Sequence, residues 1–221
     1  MIKSFLINIS FSTLLFSSQQ ILLVVADDFN SSEAKLSCFE DKKVICKDIK
    51  VNLGKNGLGW GIGLKNIPHA NNEPLKYEGD KRAPAGIFAL SSSFGYAPTI
   101  DTKLPYLYAD KDLICVDDSS SAFYNQIIKS NGNEKSFEHM LRSDNQYKIG
   151  IVVAHNPYAQ PQRGSCIFLH VQKSKNHPTV GCTSMKEDDL QKIVQWLDSN
   201  KKPILIQIPR KYLKTVEHFI K

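Results

Sequence analysis

Between residues 35 and 170 the chain is cut into short apolar or alternating runs by Gly, Pro, Asn and Asp, and this pattern constrains the fold more than any other feature. KVICKDIKVNL, GIFALSS, LICVDD, KIGIVVAHN and CIFLHV are rich in β-branched and aromatic residues and read as strands. Lys55-Asn56-Gly57, Ala83-Pro84-Ala85-Gly86 and Asn131-Gly132 supply turns between them. The expectation is a mainly β domain, and ILIQI, between Pro203 and Pro209, adds a further short buried strand. Helical periodicity appears in two places. SMKEDDLQKIVQWLDSN opens with Ser184 and has Glu187 three residues later, the spacing of a capping box. Leu190, Ile193, Val194 and Leu197 then recur on one face. SAFYNQIIKS is the second helix candidate, with Asp117 and Asp118 read as caps before it. A chain of 221 residues suits one domain with a sizeable core and a small N-terminal extension.

The opening segment has Lys3, a mostly apolar stretch, and Val-Val-Ala before Asp27 and Asp28. That order predicts a secretory signal over residues 1–26 with cleavage near Ala26, and hence export. The rival is a single membrane anchor, which Ser17, Ser18, Gln19 and Gln20 interrupt. Export places the cysteines in an oxidising compartment, where disulfides persist. Five cysteines leave at least one unpaired within the chain. Cys38 and Cys46 flank a turn between two short strands, where a bridge is feasible; Cys115 and Cys166 border apolar runs and can be sheet neighbours or buried free thiols. The formal net charge of +6 is scattered, without the dense basic stripe and interleaved aromatics of a nucleic-acid-binding surface. No cofactor is indicated.

Chemistry concentrates in HVQKSKNHPTVGCTSM, residues 170–185. His170 ends a predicted strand and Cys182 stands just before the predicted helix, whose N-terminal partial charge favours a thiolate. Gly181 allows close approach of a substrate, and the amides of this turn are candidate oxyanion donors. A cysteine nucleophile needs an oriented base, for which His170 is preferred and His155, also at a strand end, is the reserve. His177 reads as an exposed loop residue, and His69 and His139 have no evident partner. The H-x6-H-x4-C spacing fits no usual zinc pattern, so no metal site is expected. Local features alone leave a structural, buried or bonded Cys182 equally open.

The chain resembles the L,D-transpeptidase catalytic-domain (YkuD-like) family, in a secreted proteobacterial branch. The resemblance runs from about Val51 to Pro209 through GKNGLGWGIGL, EGDKRAPAGIFALSSSFGY, LPYLY, CVDDSSSAFYNQII, SFEHM, YKIGIVVAHN, GSCIFLH and PTVGCTSM, then the helix with WLD and the strand PILIQIP. It implies a YkuD-like β-sandwich or barrel with a few helices, one after the catalytic cysteine. The implied organisation is a β extension over 27–50, a catalytic domain over 51–209 and a C-terminal tail over 210–221. It also implies Cys182 as nucleophile and His170 as base, with the Val171 carbonyl fixing the imidazole tautomer. Gly181 then supports the oxyanion, and Thr179 sits at the substrate-binding Ser/Thr position. Val180 replaces the family's usual second histidine, and Thr183-Ser184-Met185 offers no Arg to hold a substrate carboxylate. The implied partners are peptidoglycan stem peptides in the periplasm, and the implied activity is L,D-transpeptidation. Two alternatives accompany it: L,D-carboxypeptidation with water as acceptor, and a cell-wall-binding module that keeps the fold without the activity. A third reading is a structural envelope protein with Cys182 in a disulfide. The Glu78, Asp80 and Arg82 charges are expected to be solvated in a turn near the site.

Overall fold

The structure, a computed structural model, describes residues 19–221, so most of the expected leader lies outside the described residues. Among the described residues thirteen strands follow in chain order: β1 (Gln20–Ala26), β2 (Glu33–Glu40), β3 (Lys43–Asn52), β4 (Leu58–Trp60), β5 (Ala83–Gly95), β6 (Tyr106–Tyr108), β7 (Leu113–Val116), β8 (Ile127–Lys129), β9 (Phe137–His139), β10 (Ile149–Val153), β11 (Phe168–Val171), β12 (Thr183–Met185) and β13 (Ile204–Pro209). The helices are α1 (Glu187–Trp196) and the short α2 (Leu213–Val216). The main sheet runs β10-β11-β12-β3-β2-β1-β13-β5-β4, and pairing of β10 with β5 closes that path into a barrel. Closure removes most of the exposed strand edges that an open sheet would present. A separate three-stranded sheet, β8-β7-β9, packs beside it. The mainly β expectation holds, but Ala83-Pro84-Ala85-Gly86, expected as a turn, is the start of β5, where Ala83, Pro84 and Ala85 pair with β4 and Gly86 pairs with β13.

Alternation along β10 and β11 divides the interior in two. Ile149, Ile151, Val153, Ile167, Leu169 and Met185 join the larger core with α1. Phe168, Cys166 and Cys182 face a smaller cluster with Phe94, Met140 and Tyr147, beside the three-stranded sheet. One register slip in β11 or β12 would exchange these two sets.

Five sequence expectations are corrected. The apolar run before Asp27 is β1, paired parallel to β13 and antiparallel to β2, with Leu22, Val24 and Ala26 fully buried. Cleavage near Ala26 would remove a strand from the middle of the sheet, so the 1–26 boundary does not fit; the domain includes residues from Gln20 onward. Likewise β2 and β3, within the expected 27–50 extension, are integral to the barrel. Ser184 caps no helix: it lies in β12 between His170 of β11 and Asn52 of β3, and α1 begins at Glu187 behind Lys186, which makes no side-chain cap. SAFYNQIIKS forms a turn and β8 instead of a helix; Asp118 accepts from the Ser120 amide and hydroxyl, and Ile127, Ile128 and Lys129 pair with β7. Finally, residues 210–221 are no tail, because Val216 is buried and Tyr212, Leu213, Phe219 and Ile220 pack on the main core.

Candidate active site

β11 and β12 are parallel neighbours, with Leu169 opposite Thr183 and His170 opposite Ser184. Cys182 enters β12 from the turn before it, and the Phe168 amide donates to its Sγ at 3.3 Å. Because strand side chains alternate, Phe168, His170 and Cys182 share the face turned toward the smaller cluster. The Tyr147 ring joins them, meeting the Phe168 ring edge-on at 5.4 Å and the His170 ring edge-on at 5.4 Å. The sequence thus brings the expected thiol and imidazole to one face from adjacent strands.

His170 Nδ1 donates to the Val171 carbonyl at 2.8 Å, which leaves Nε2 as the unprotonated nitrogen. Burial pushes its pKa down to about 4, so the ring is neutral at physiological pH. Cys182 is 6% exposed and is the free cysteine among the described residues; its thiol donates to the Cys166 carbonyl at 3.5 Å. The disulfides join Cys38 to Cys46 and Cys115 to Cys166, so Cys182 is not bridged. Burial pushes its pKa up to about 12, with the Glu138 carboxylate adding to the rise and the Phe168 amide, Lys76 and Arg142 opposing it.

The helix-dipole expectation fails here, since Cys182 leads into β12 and α1 starts only at Glu187. Two other assignments change as well. Thr179 Oγ1 donates to the Cys182 carbonyl at 2.6 Å and accepts from the Gly181 amide at 3.1 Å. Its hydroxyl therefore shapes the turn before Cys182, and the Gly181 N–H is engaged within that turn. His155, the reserve base, is 2% exposed with Nδ1 accepting from the Ile62 amide at 3.3 Å and Nε2 donating to the Arg163 carbonyl at 2.9 Å. Both its nitrogens hold backbone. His177 and His139 are exposed, and His69 stacks on Trp60 with ring centroids 4.7 Å apart. Among the described residues no group of three or more His, Cys, Asp or Glu is arranged to hold a metal ion.

A profile of the YkuD family, the L,D-transpeptidase catalytic domain, matches residues 25–206. The chain belongs to that family. The match starts inside β1, in agreement with the place of that strand in the L,D-transpeptidase domain. No curated protein and no solved structure matches the chain.

Sequence reasoning missed the polar shell of this L,D-transpeptidase domain. Tyr147 donates to Glu138 Oε2 at 2.6 Å, and burial raises the pKa of both groups. Arg142 lies over the Tyr147 ring at 4.9 Å and grips Asp144 through Nε at 3.0 Å and Nη2 at 2.5 Å. The block expected to be solvated is instead tied inward. Glu78 accepts from Ser165 Oγ at 2.8 Å and from the Tyr124 hydroxyl, Asp80 pairs with the buried Lys76, and Arg82 donates to the Leu58 carbonyl at 2.8 Å. The sequence carried no periodic signal for the Glu78 contacts, because Tyr124 and Ser165 lie 46 and 87 residues away.

Proposed function

We propose that this domain is a cysteine-dependent peptidoglycan L,D-transpeptidase with Cys182 as nucleophile and His170 as general base. The observation that carries the reading is the unbridged Cys182 on one sheet face with an imidazole whose Nδ1 is committed to the Val171 carbonyl. At neutral pH the pair starts as thiol and neutral imidazole. His170 Nε2 takes the proton as the sulfur attacks the carbonyl of the third stem residue, at its L centre. The tetrahedral intermediate collapses, His170 returns the proton to the leaving D-alanine amine, and an acyl-enzyme remains on Cys182. An amine from a neighbouring stem then gives a 3-3 cross-link, while water gives a trimmed tripeptide. The aromatic edges of Phe94, Tyr147 and Phe168 exclude solvent behind the sulfur and so strengthen local electrostatics. Two disulfides support a site of action in an oxidising envelope compartment, the periplasm.

The test is muropeptide analysis of cell walls treated with the protein and with Cys182→Ala. Loss of 3-3 dimers in the variant supports transpeptidation, loss of tripeptide alone reassigns the acceptor to water, and identical profiles leave only a wall-binding role. A carbapenem should also add its full mass to the protein and not to Cys182→Ala.

A further inference from the structure

Without a helix terminus behind it, a sulfur this deeply buried needs another source of positive charge to become an anion. A buried cation lies nearby, in the loop between β4 and β5. Lys76 is 3% exposed, and its Nζ donates to the Tyr77 carbonyl at 2.6 Å and to Asp80 Oδ1 at 2.6 Å. Its stem lies against Gly164, where a Cβ would come within 3.1 Å of Lys76 Cε. The ammonium ends beside the nucleophile turn: a Cβ on Gly181 would be 3.9 Å from Nζ. Two of its three N–H donors are accounted for among the described residues, which leaves one for an anion.

We propose that Lys76 is a positioning residue for the acyl-transfer chemistry: its buried ammonium, held against Gly181 by Asp80 and the Tyr77 carbonyl, stabilises negative charge at the adjacent Cys182. This rests on the reading of Cys182 as nucleophile. Purely structural needs do not account for the lysine, because an apolar side chain of similar length would fill the same channel without the desolvation cost of a buried ion pair. Asp80 does not need it either, since the Tyr77 amide at 2.7 Å and the Arg82 amide at 2.8 Å already satisfy its carboxylate. The groups facing Cys182 from the other elements are Glu138 from β9, Tyr147 before β10, His170 from β11 and Arg142 from the loop after β9. Glu138 opposes an anion there, and Arg142 has its fork occupied by Asp144. Lys76 is the cation left on the Gly181 side.

The test reads the sulfur directly and needs no peptidoglycan. Alkylation of Cys182 by iodoacetamide is followed by intact mass against pH in wild type, Lys76→Met, Lys76→Met with Asp80→Asn, and Lys76→Arg. The double variant separates loss of the ammonium from exposure of the sulfur to an unpaired Asp80. Both Met variants should alkylate about tenfold more slowly than wild type at each fixed pH between about 7 and 9, the rate change expected for a thiol about one pKa unit weaker as an acid. Lys76→Arg should restore the wild-type profile. An unchanged profile in either folded Met variant overturns the proposal while leaving Cys182 as nucleophile. Loss of 3-3 and tripeptide products from wild type, with alkylation still dependent on Lys76, would instead overturn the enzymatic reading alone.

Discussion

Removing the Cys115–Cys166 disulfide by Cys115→Ala with Cys166→Ala should damage both stability and the sulfur at 182. The bridge spans 51 residues of sequence, and the Cys38–Cys46 bridge spans 8. Loop-closure entropy in the unfolded chain then assigns about 4 kcal/mol to the first and about 2.5 kcal/mol to the second at room temperature. With a urea dependence of about 2 kcal/mol per molar, the unfolding midpoint should fall by roughly 2 M for the first pair and roughly 1.2 M for Cys38→Ala with Cys46→Ala. The long bridge also ties β7 to the segment whose Cys166 carbonyl accepts from the Cys182 thiol. Only the first variant should therefore change the rate at which iodoacetamide alkylates Cys182. Urea melts and alkylation kinetics on the two double variants provide the comparison. Equal or reversed losses in stability, or a Cys182 rate that moves with the Cys38–Cys46 pair, would refute the reasoning.

Three further outcomes are expected. His155 and His170 both have pKa values lowered by burial to about 4 from 6.5, so the unfolded chain binds protons that the fold refuses. Stability from these groups is fully present above pH 6.5 and is lost as pH falls toward 4; by pH 5 the loss should be about 2 kcal/mol per histidine, and a flat urea-melt profile between pH 7 and 5 would contradict it. Thr179→Val breaks both hydrogen bonds that shape the turn before Cys182 and should cost ~2 kcal/mol in urea melts and slow acylation of Cys182 by a carbapenem, with Thr179→Ser restoring both; a Val variant that acylates at the wild-type rate would exclude a shaping role. A chain begun at Asp27 loses Ile21, Leu22, Leu23 and Val24 from the core, on the order of 8 kcal/mol of apolar burial and thus comparable with a whole domain's stability. It should fail to give a cooperative thermal transition, whereas a chain begun at Gln19 should melt normally.

The strands were legible because each apolar run is short and punctuated, and the barrel needs little more than that alternation. Errors arose where long-range pairing overrode a local signal. Ser184 and Glu187 have capping-box spacing, yet Ser184 is held in β12 by neighbours 14 and 132 residues away in sequence, His170 and Asn52. QILLVVA reads equally as the end of a leader or as a strand buried on both faces, and periodicity cannot separate the two. Cys182 and His170 stand out in the sequence because one contiguous motif carries them, and the pairing of β11 with β12 brings that motif together. Lys76, Glu138, Arg142 and Tyr147 were not, because nothing local in PLKYEGDK or SFEHMLRSDNQY distinguishes a buried charge from a solvated one.

The parallel seam between β1 and β13 has a consequence for how the molecule comes into being. The earliest described strand finds one of its two neighbours only when Ile204–Pro209 arrives, almost at the end of the chain. Until then the growing sheet stays an unclosed curl. Closure of the barrel therefore waits for Ile204–Pro209, the strand that pairs with both β1 and β5.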